Sequence, residues 1–304
     1  MRSDIGETAE IMKRNVLVAG GCGFVGQHTV RAFKSAGFEV VDIGHGCAVR
    51  EITPESLSTI KVLPDLVINC AGSGSVGASF EDPFLDFRKT VDSTLALLEF
   101  IRLKAPKAKL IQLSSPAVQG MHADSPIKIS DPRNPVSPYG LHKSFAEDLC
   151  VFYGKTYALN IAIIRFFSLY GPGLKKQLLW DACRKIKDNP RTVEFWGNGQ
   201  ETRDWLHIDD ALRLMMKIAD DQSRGTEVFN GGSGIRSTIH EVLLKLVQAL
   251  GSTTEIGFNG KSRMGDPKFY QADITHSLKL GWRPEMILEE GIKQYVEWFK
   301  REKI

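Results

Sequence analysis

Asn15-Val-Leu-Val-Ala-Gly-Gly-Cys-Gly-Phe-Val-Gly26 is the stretch on which the fold turns. Val16 to Ala19 form a short apolar run, the mark of a strand buried on both faces of a parallel sheet. The run breaks into glycines at Gly20, Gly21, Gly23 and Gly26. Phe24 to Ala36 follow with Val25, Val30, Ala32 and Phe33 at near-helical spacing. Strand, glycine turn and helix are the setting that a dinucleotide fingerprint requires. Gly20 lets the chain turn, Gly23 lets the backbone approach a pyrophosphate, and Gly26 lets the helix pack on the strand. Phe24 and Val25 open that helix, whose free N–H groups and partial positive charge face the phosphates.

Phe38-Glu-Val-Val-Asp42 reads as a second strand, and Asp42 ends it 16 residues after Gly26. A carboxylate there accepts both hydroxyls of an adenosine ribose and repels a 2′-phosphate. The next twelve residues carry one formal cation, Arg50, so NAD is expected and NADP disfavoured. The competing reading is a glycine-rich turn beside a solvated aspartate. It weakens because strand, turn, helix and acidic strand end occur in order.

Further along, Pro64-Asp-Leu-Val-Ile-Asn-Cys-Ala-Gly72 is a third strand running into a small-residue loop. Ala71, Gly72 and Ser73 keep side chains clear of a passing cofactor. A long helix is expected over Pro83–Lys104. Ala108-Lys-Leu-Ile-Gln-Leu-Ser-Ser115 is a fourth strand ending in two hydroxyls. The proline-rich stretch Pro116 to Pro138 is a long loop, a common place for function. A helix beginning near Pro138 carries Tyr139 and Lys143 on one face, and Leu159 to Phe167 is a fifth strand. Alternating strands and helices of this kind make a parallel, doubly wound α/β sheet. Beyond Tyr170 the units shorten: helices over Gln177–Lys187, Asp209–Asp221, Ser237–Leu250 and Ile287–Phe299, with strands at Val193–Trp196 and Glu227–Asn230. They read as a smaller C-terminal α/β lobe on the carboxyl ends of the strands, where ligands of such sheets bind. The expected division is an N-terminal extension over Met1–Lys13, a dinucleotide-binding domain over 14–170, and a lobe over 171–304 with some segments returning to the first domain.

Composition excludes several classes. The 304 residues are 42% hydrophobic, ample for a core. A net charge of +3 without basic blocks gives no reason to expect nucleic acid or membrane partners. The five cysteines, Cys22, Cys47, Cys70, Cys150 and Cys183, contain no C-x-x-C and read as reduced thiols of a cytoplasmic protein. No apolar run approaches a membrane span. Met1–Lys13 lacks the apolar centre of a secretory signal.

Tyr139 and Lys143 are the sharpest chemical pair. A phenol with a pKa near ~10 is a poor base at neutral pH. A nearby ammonium and a nicotinamide cation are expected to lower that value, making Tyr139 a general acid/base for a sugar hydroxyl or ketone. Lys143 is also placed to hold the nicotinamide ribose, and Ser115 to hydrogen-bond the reacting oxygen. By itself, Tyr-x-x-x-Lys is also compatible with an ordinary helix-surface pair. His207, between apolar neighbours, reads as structural, and no spacing of ligating residues marks a metal site.

Over roughly Asn15–Phe299 the chain resembles the extended short-chain dehydrogenase/reductases, the nucleotide-sugar epimerases and dehydratases with a Rossmann-like fold. The resemblance rests on the glycine loop, Asp65-x-Val-x-Asn-x-Ala71, Ser114-Ser115 and Tyr139-x-x-x-Lys143. It continues through Arg165-Phe-Phe-Ser-Leu-Tyr-Gly-Pro-Gly173, Gly197-Asn-Gly-Gln-Glu-Thr-Arg-Asp-Trp-Leu-His-Ile-Asp-Asp210 and Arg263-Met-Gly-Asp266. It implies a catalytic set of Ser115, Tyr139 and Lys143, with Asp42 on the adenosine ribose and Glu51 beside adenine. It implies that Arg203, Arg263 and Asp266 grip the diphosphate of a sugar nucleotide, for which the arginine fork is suited. An ion pair of the arginines with Asp204 or Asp266 is the alternative.

Departures bear on the reaction. Pro116 and Ala117 stand where the family's dehydratases carry Asp-Glu, which argues against 4,6-dehydration. Gln119 replaces a common Tyr. Thr90 and Ser168 replace common Asn residues, with Ser168 one donor short for a substrate contact. The resemblance implies an NAD-dependent epimerase acting through a transient keto sugar, commonly at C4, in a homodimer built on the 83–104 and 139–157 helices. A 4-keto-sugar reductase is the alternative reaction, and a nucleotide-sensing protein without turnover the alternative class.

Overall fold

The computed structural model describes residues 14–48, 51–261, 265 and 267–302. The expected extension Met1–Lys13, together with Arg50, Arg263 and Asp266, lies outside the described residues. The first half contains β1 (Asn15–Ala19), α1 (Phe24–Ser35), β2 (Glu39–Ile43), α2 (Pro54–Ser58), β3 (Leu66–Asn69), α3 (Val76–Glu81), α4 (Pro83–Phe87), α5 (Ser93–Lys104), β4 (Lys109–Ser114), α6 (Pro138–Tyr157) and β5 (Asn160–Phe166). There follow β6 (Ser168–Tyr170), α7 (Gln177–Asp188), β7 (Thr192–Phe195), β8 (Thr202–His207), α8 (Ile208–Asp220), β9 (Thr226–Gly231), β10 (Arg236–Thr238), α9 (Ile239–Leu250), β11 (Glu255–Phe258), α10 (Thr275–Leu278) and α11 (Leu288–Arg301).

Six parallel strands form the main sheet in the order β2-β1-β3-β4-β5-β9. The apolar run of β1 is explained by its two covered faces. Val16 and Val18 pack with Phe33, Ile111, Leu214 and Met215 on one side. Leu17 and Ala19 pack with Leu97, Leu98, Ile101 and Cys150 on the other. Chain order reverses about β1, with β2 on one flank and β3 on the other, so a crevice opens at their carboxyl ends. The register places Ala19 level with Ile43 and Asn69, so the loops that follow all three strands leave the sheet together.

The later segments divide. The strand β9 joins the main sheet beside β5, and α8 packs on that sheet through Leu214 and Met215. A three-stranded sheet β10-β8-β6 and a two-stranded sheet β11-β7 lie apart from it. A separate apolar cluster joins α7, α9 and α11 around Tyr170, Phe195 and Tyr295. Among the described residues, no helix is long and apolar enough to cross a membrane.

The helix expected over Pro83–Lys104 is not one regular helix. Asp82 caps α4 by accepting from the Leu85 amide at 2.9 Å, with Pro83 at the first helical position. A π turn over Arg88–Asp92 then separates α4 from α5. Such turns insert one residue and rotate the side chains that follow, often at functional sites. The strands β6, β8, β10 and β11 were not anticipated, and Ser237, expected to open a helix, lies in β10. In β8 the alternating burial of Thr202, Asp204 and Leu206 lies under polar residues that mask the period.

Candidate active site

Three loops meet at the carboxyl edge of the sheet. The first is the glycine loop. Gly20 has φ +78° and donates to the Ile43 carbonyl at 2.7 Å. A Cβ on Gly20 would lie 2.7 Å from the Ala71 amide nitrogen, and one on Gly26 only 2.0 Å from the Gly20 oxygen. Larger residues at either place would push the loop off the sheet. After Gly23, α1 starts at Phe24 and Val25 with no side-chain cap and no acid in its first turn. Its N–H groups and positive pole are therefore left for an anion from outside the chain.

Asp42, half-buried at the end of β2, lies against this loop: a Cβ on Gly21 would be 2.5 Å from Asp42 Cβ. Cys22 and Cys47 flank it with their sulfurs 2.9 Å apart. Ligand atoms of all three residues fall within 4.8 Å of one another. Glu51 is exposed, and its carbonyl accepts the Ser56 hydroxyl at 2.6 Å.

The second loop, Ala71-Gly72-Ser73, follows β3. Gly72 has φ +117°, and a Cβ there would lie 3.2 Å from both Lys143 Nζ and Thr90 Oγ1. Thr90 is buried, and its hydroxyl accepts the Ser73 amide at 3.3 Å. Thr90, at a departure from the family pattern, thus holds the Ala71–Ser73 loop. The π turn carries Thr90 to that point.

The third element is the hydroxyl end of β4 facing α6. Ser115 follows β4, and its oxygen accepts the Ala117 amide at 3.2 Å. Ser137 caps α6 through the Gly140 amide at 3.1 Å. The Tyr139 amide donates to Ser79 Oγ at 3.0 Å. The Ser115 side chain is near enough to the Tyr139 phenol to favour its ionised form. Lys143, 5% exposed, donates to the Leu113 carbonyl at 3.1 Å.

The electrostatics differ from expectation in sign. Burial pushes the Tyr139 phenol above its ordinary value, Ser115 opposes it, and Asp86 adds to the rise. Burial also pushes Lys143 down to about 8, opposed by Asp86, Cys70 and Glu147. The lowering of Tyr139 expected from Lys143 is not among the contributions that move it. Four residues apart on α6, a phenol that is costly to ionise precedes an ammonium that is costly to charge.

Behind this group, Glu147 ties three elements together. It accepts Ser114 Oγ at 2.6 Å and a forked Arg165 at 2.9 and 2.8 Å. Next to Lys143, His142 Nδ1 lies 2.6 Å from the buried Asp86 carboxylate. Neither Asp86 nor His142 was singled out from sequence. The signal was faint: Asp86 stands three residues after the helix-starting Pro83, and His142 three after Tyr139. The Cys22–Cys47 pair escaped because its partners are 25 residues apart.

In the smaller sheet, Ser168 lies half-buried on β6, paired in register with Trp205 of β8. Arg203, on β8, donates to the Thr202 and Pro267 carbonyls at 2.9 and 2.8 Å, its guanidinium 5.8 Å from the Tyr270 ring centre. Asp204, considered as its ion-pair partner, accepts instead from Ser233 Oγ and the Gly234 and Ala272 amides. His207 is buried and accepts the Asp209 amide at the start of α8.

Residues 16–232 match the profile of the NAD dependent epimerase/dehydratase family. The chain belongs to this family. It is 27% identical to the UDP-glucose 4-epimerase of Mycolicibacterium smegmatis, over 93% of this chain and 98% of that one. The structure of the UDP-glucose 4-epimerase of Thermotoga maritima with UDP-glucose superposes with a TM-score of 0.85 at 26% identity. That of the Thermus thermophilus UDP-glucose 4-epimerase with NAD gives 0.84 at 26% identity. Each covers 94% of this chain and is covered to 99%. The doubly wound Rossmann-like fold expected from the glycine loop is the fold these proteins share.

Proposed function

We propose that the protein is an NAD-dependent 4-epimerase of a nucleoside-diphosphate sugar. The observation that carries this reading is the contact between two halves of one site: Lys143, four residues beyond Tyr139, lies against the Gly72 turn of the dinucleotide crevice. The residues fit the cofactor. The glycines leave a cradle that any Cβ would fill, α1 offers an uncapped positive end, and Asp42 stands where ribose hydroxyls need an acceptor. Gly20, Gly23, Phe24, Val25, Gly26, Asp42, Ala71, Gly72, Ser73 and Lys143 form the cofactor side, with Glu51 near adenine.

Bound NAD supplies the hydride acceptor and then the donor, and its nicotinamide cation favours the phenolate. Tyr139 takes the proton from the sugar hydroxyl and returns it after the keto sugar has turned. Ser115 holds that oxygen from the β4 side. Lys143 holds the nicotinamide ribose. Arg203, Arg263 and Asp266 serve the diphosphate, and Ser168 the sugar. Pro116 and Ala117, both buried apolar residues, offer no acid or base for loss of water, which disfavours dehydration. The relatives named above make uridine diphosphate sugars the first substrates to try.

The test is to denature the purified protein, identify released nucleotide by mass spectrometry, and follow UDP-glucose and UDP-galactose interconversion. Released NAD and a common equilibrium mixture reached from either sugar are expected. Oxidation of NADPH on a 4-keto nucleotide-sugar, without epimerisation, would replace this reading with the reductase. We further place the enzyme in the cytoplasm, in keeping with five free cysteines. We also read it as a homodimer through the exposed apolar face of α4 to α6.

A further inference from the structure

The Cys22–Cys47 pair has no part in the reaction above, yet it sits where the adenosine ribose is expected. Cys22 belongs to the glycine loop and is partly exposed; Cys47 follows β2 and is buried. The two sulfurs are 2.9 Å apart, and both lie within 4.8 Å of a carboxylate oxygen of Asp42. A disulfide needs about 2.05 Å, so under 1 Å of approach separates dithiol from bond. Gly46 makes the approach possible: a Cβ there would stand 3.1 Å from Cys22 Cβ. No other pair of the five cysteines shares a sulfur contact among the described residues.

We propose that Cys22 and Cys47 form a reversible disulfide that weakens NAD binding. The oxidant is a small-molecule disulfide of the glutathione class. Cys22, the more accessible sulfur, attacks it as thiolate, forming a mixed disulfide and releasing one glutathione thiol. Cys47 holds its proton tightly, because burial and hydrogen bonds to Cys22 and Asp42 all favour the thiol. That proton passes to Asp42 and on to solvent as the Cys47 sulfur attacks Cys22 and the second glutathione leaves. Two thiols are oxidised and one glutathione disulfide is reduced to two thiols.

The bond acts on the ribose site because it ties the glycine loop to the 44–48 turn across Asp42. The bond itself is independent of the function proposed above; its effect on NAD rests on that reading.

The experiment exposes the reduced full-length protein to oxidised glutathione, with and without added NAD. Free thiols are then alkylated and the peptides mapped by mass spectrometry. A Cys22–Cys47 cross-linked peptide, lighter by two hydrogens and lost with dithiothreitol, is the expected product. Added NAD should slow its formation, and the oxidised protein should bind NAD at least fivefold more weakly. Cys22→Ser, which can form neither the mixed disulfide nor the bond, should bind NAD equally before and after the treatment. Glutathione adducts on Cys22 without the cross-link, or a cross-linked protein with unchanged NAD affinity, would overturn the proposal. A cross-link in a protein that binds NAD in neither state would leave the bond standing and reject the dinucleotide reading instead.

Discussion

Lys143 is a charge kept where charge is expensive. Its pKa is pushed down to about 8 by burial. Relative to the unfolded value of 10.5, holding it charged at neutral pH costs roughly 3 kcal/mol by the worth of a displaced pKa. The unfolded chain binds this proton more tightly, so the cost is full below pH 8 and vanishes as pH rises through 10.5. Lys143→Met should therefore raise the melting temperature at pH 7, by an amount that shrinks from pH 8 upward, while turnover collapses. A lower melting temperature at pH 7 would show that the lysine is held for stability. The expected cost to turnover is greater at Tyr139. Tyr139→Phe keeps the backbone bond to Ser79 and removes only the hydroxyl, so a loss of about 10²–10⁴-fold in kcat with an unchanged melting curve is expected. An active Tyr139→Phe enzyme would reject the proton-transfer role.

At the scale of elements, the site is held by what lies behind it. The carboxylate of Glu147 joins α6 to β4 and β5 through Ser114 and Arg165, with both ionic side chains nearly inaccessible. Glu147→Gln leaves the Arg165 guanidinium buried without its charge partner. That should cost roughly 3–5 kcal/mol in chemical denaturation; a change within error would show that the Ile129 carbonyl suffices for Arg165. Sequence shows part of this architecture and hides the rest. The glycine loop, Asp42, Ser115, Tyr139 and Lys143 are legible because each belongs to a local pattern: a strand end, a turn or one helical face. The Glu147–Arg165 clamp, the Asp86–His142 pair and the Cys22–Cys47 contact are made between distant segments with no shared period. The π turn is illegible for a related reason. Leu95, Leu98 and Ile101 continue a helical spacing, and one inserted residue upstream leaves no mark on it. The sign of the Tyr139 shift also escaped, because spacing shows which groups share a face but not how deeply the helix buries them.

Across the whole molecule, α6 is the element with two tasks. Its inner face carries Lys143 and Glu147 into the sheet. Its outer face carries Phe145 and Phe152, 40% and 57% exposed, beside an apolar groove lined by Phe87, Val91 and Leu149. The groove runs onto the segment that holds Thr90, so both sides of the proposed interface are continuous with the site. Phe84, 72% exposed, extends the patch along α4. An apolar surface of this kind on two neighbouring helices suits a self-complementary contact about a twofold axis. Light scattering should give twice the chain mass at micromolar concentration. Phe152→Asp places a charge in the centre of that contact and should yield a monomer. Phe152 touches none of the cofactor residues, so the monomer should still release NAD on denaturation. Turnover should fall if the partner's helix steadies the Thr90 turn, and stay unchanged if the contact only joins two independent sites. A wild-type protein that elutes as a monomer at all concentrations would remove the dimer and leave the catalytic reading intact, because every residue of the proposed site comes from one chain.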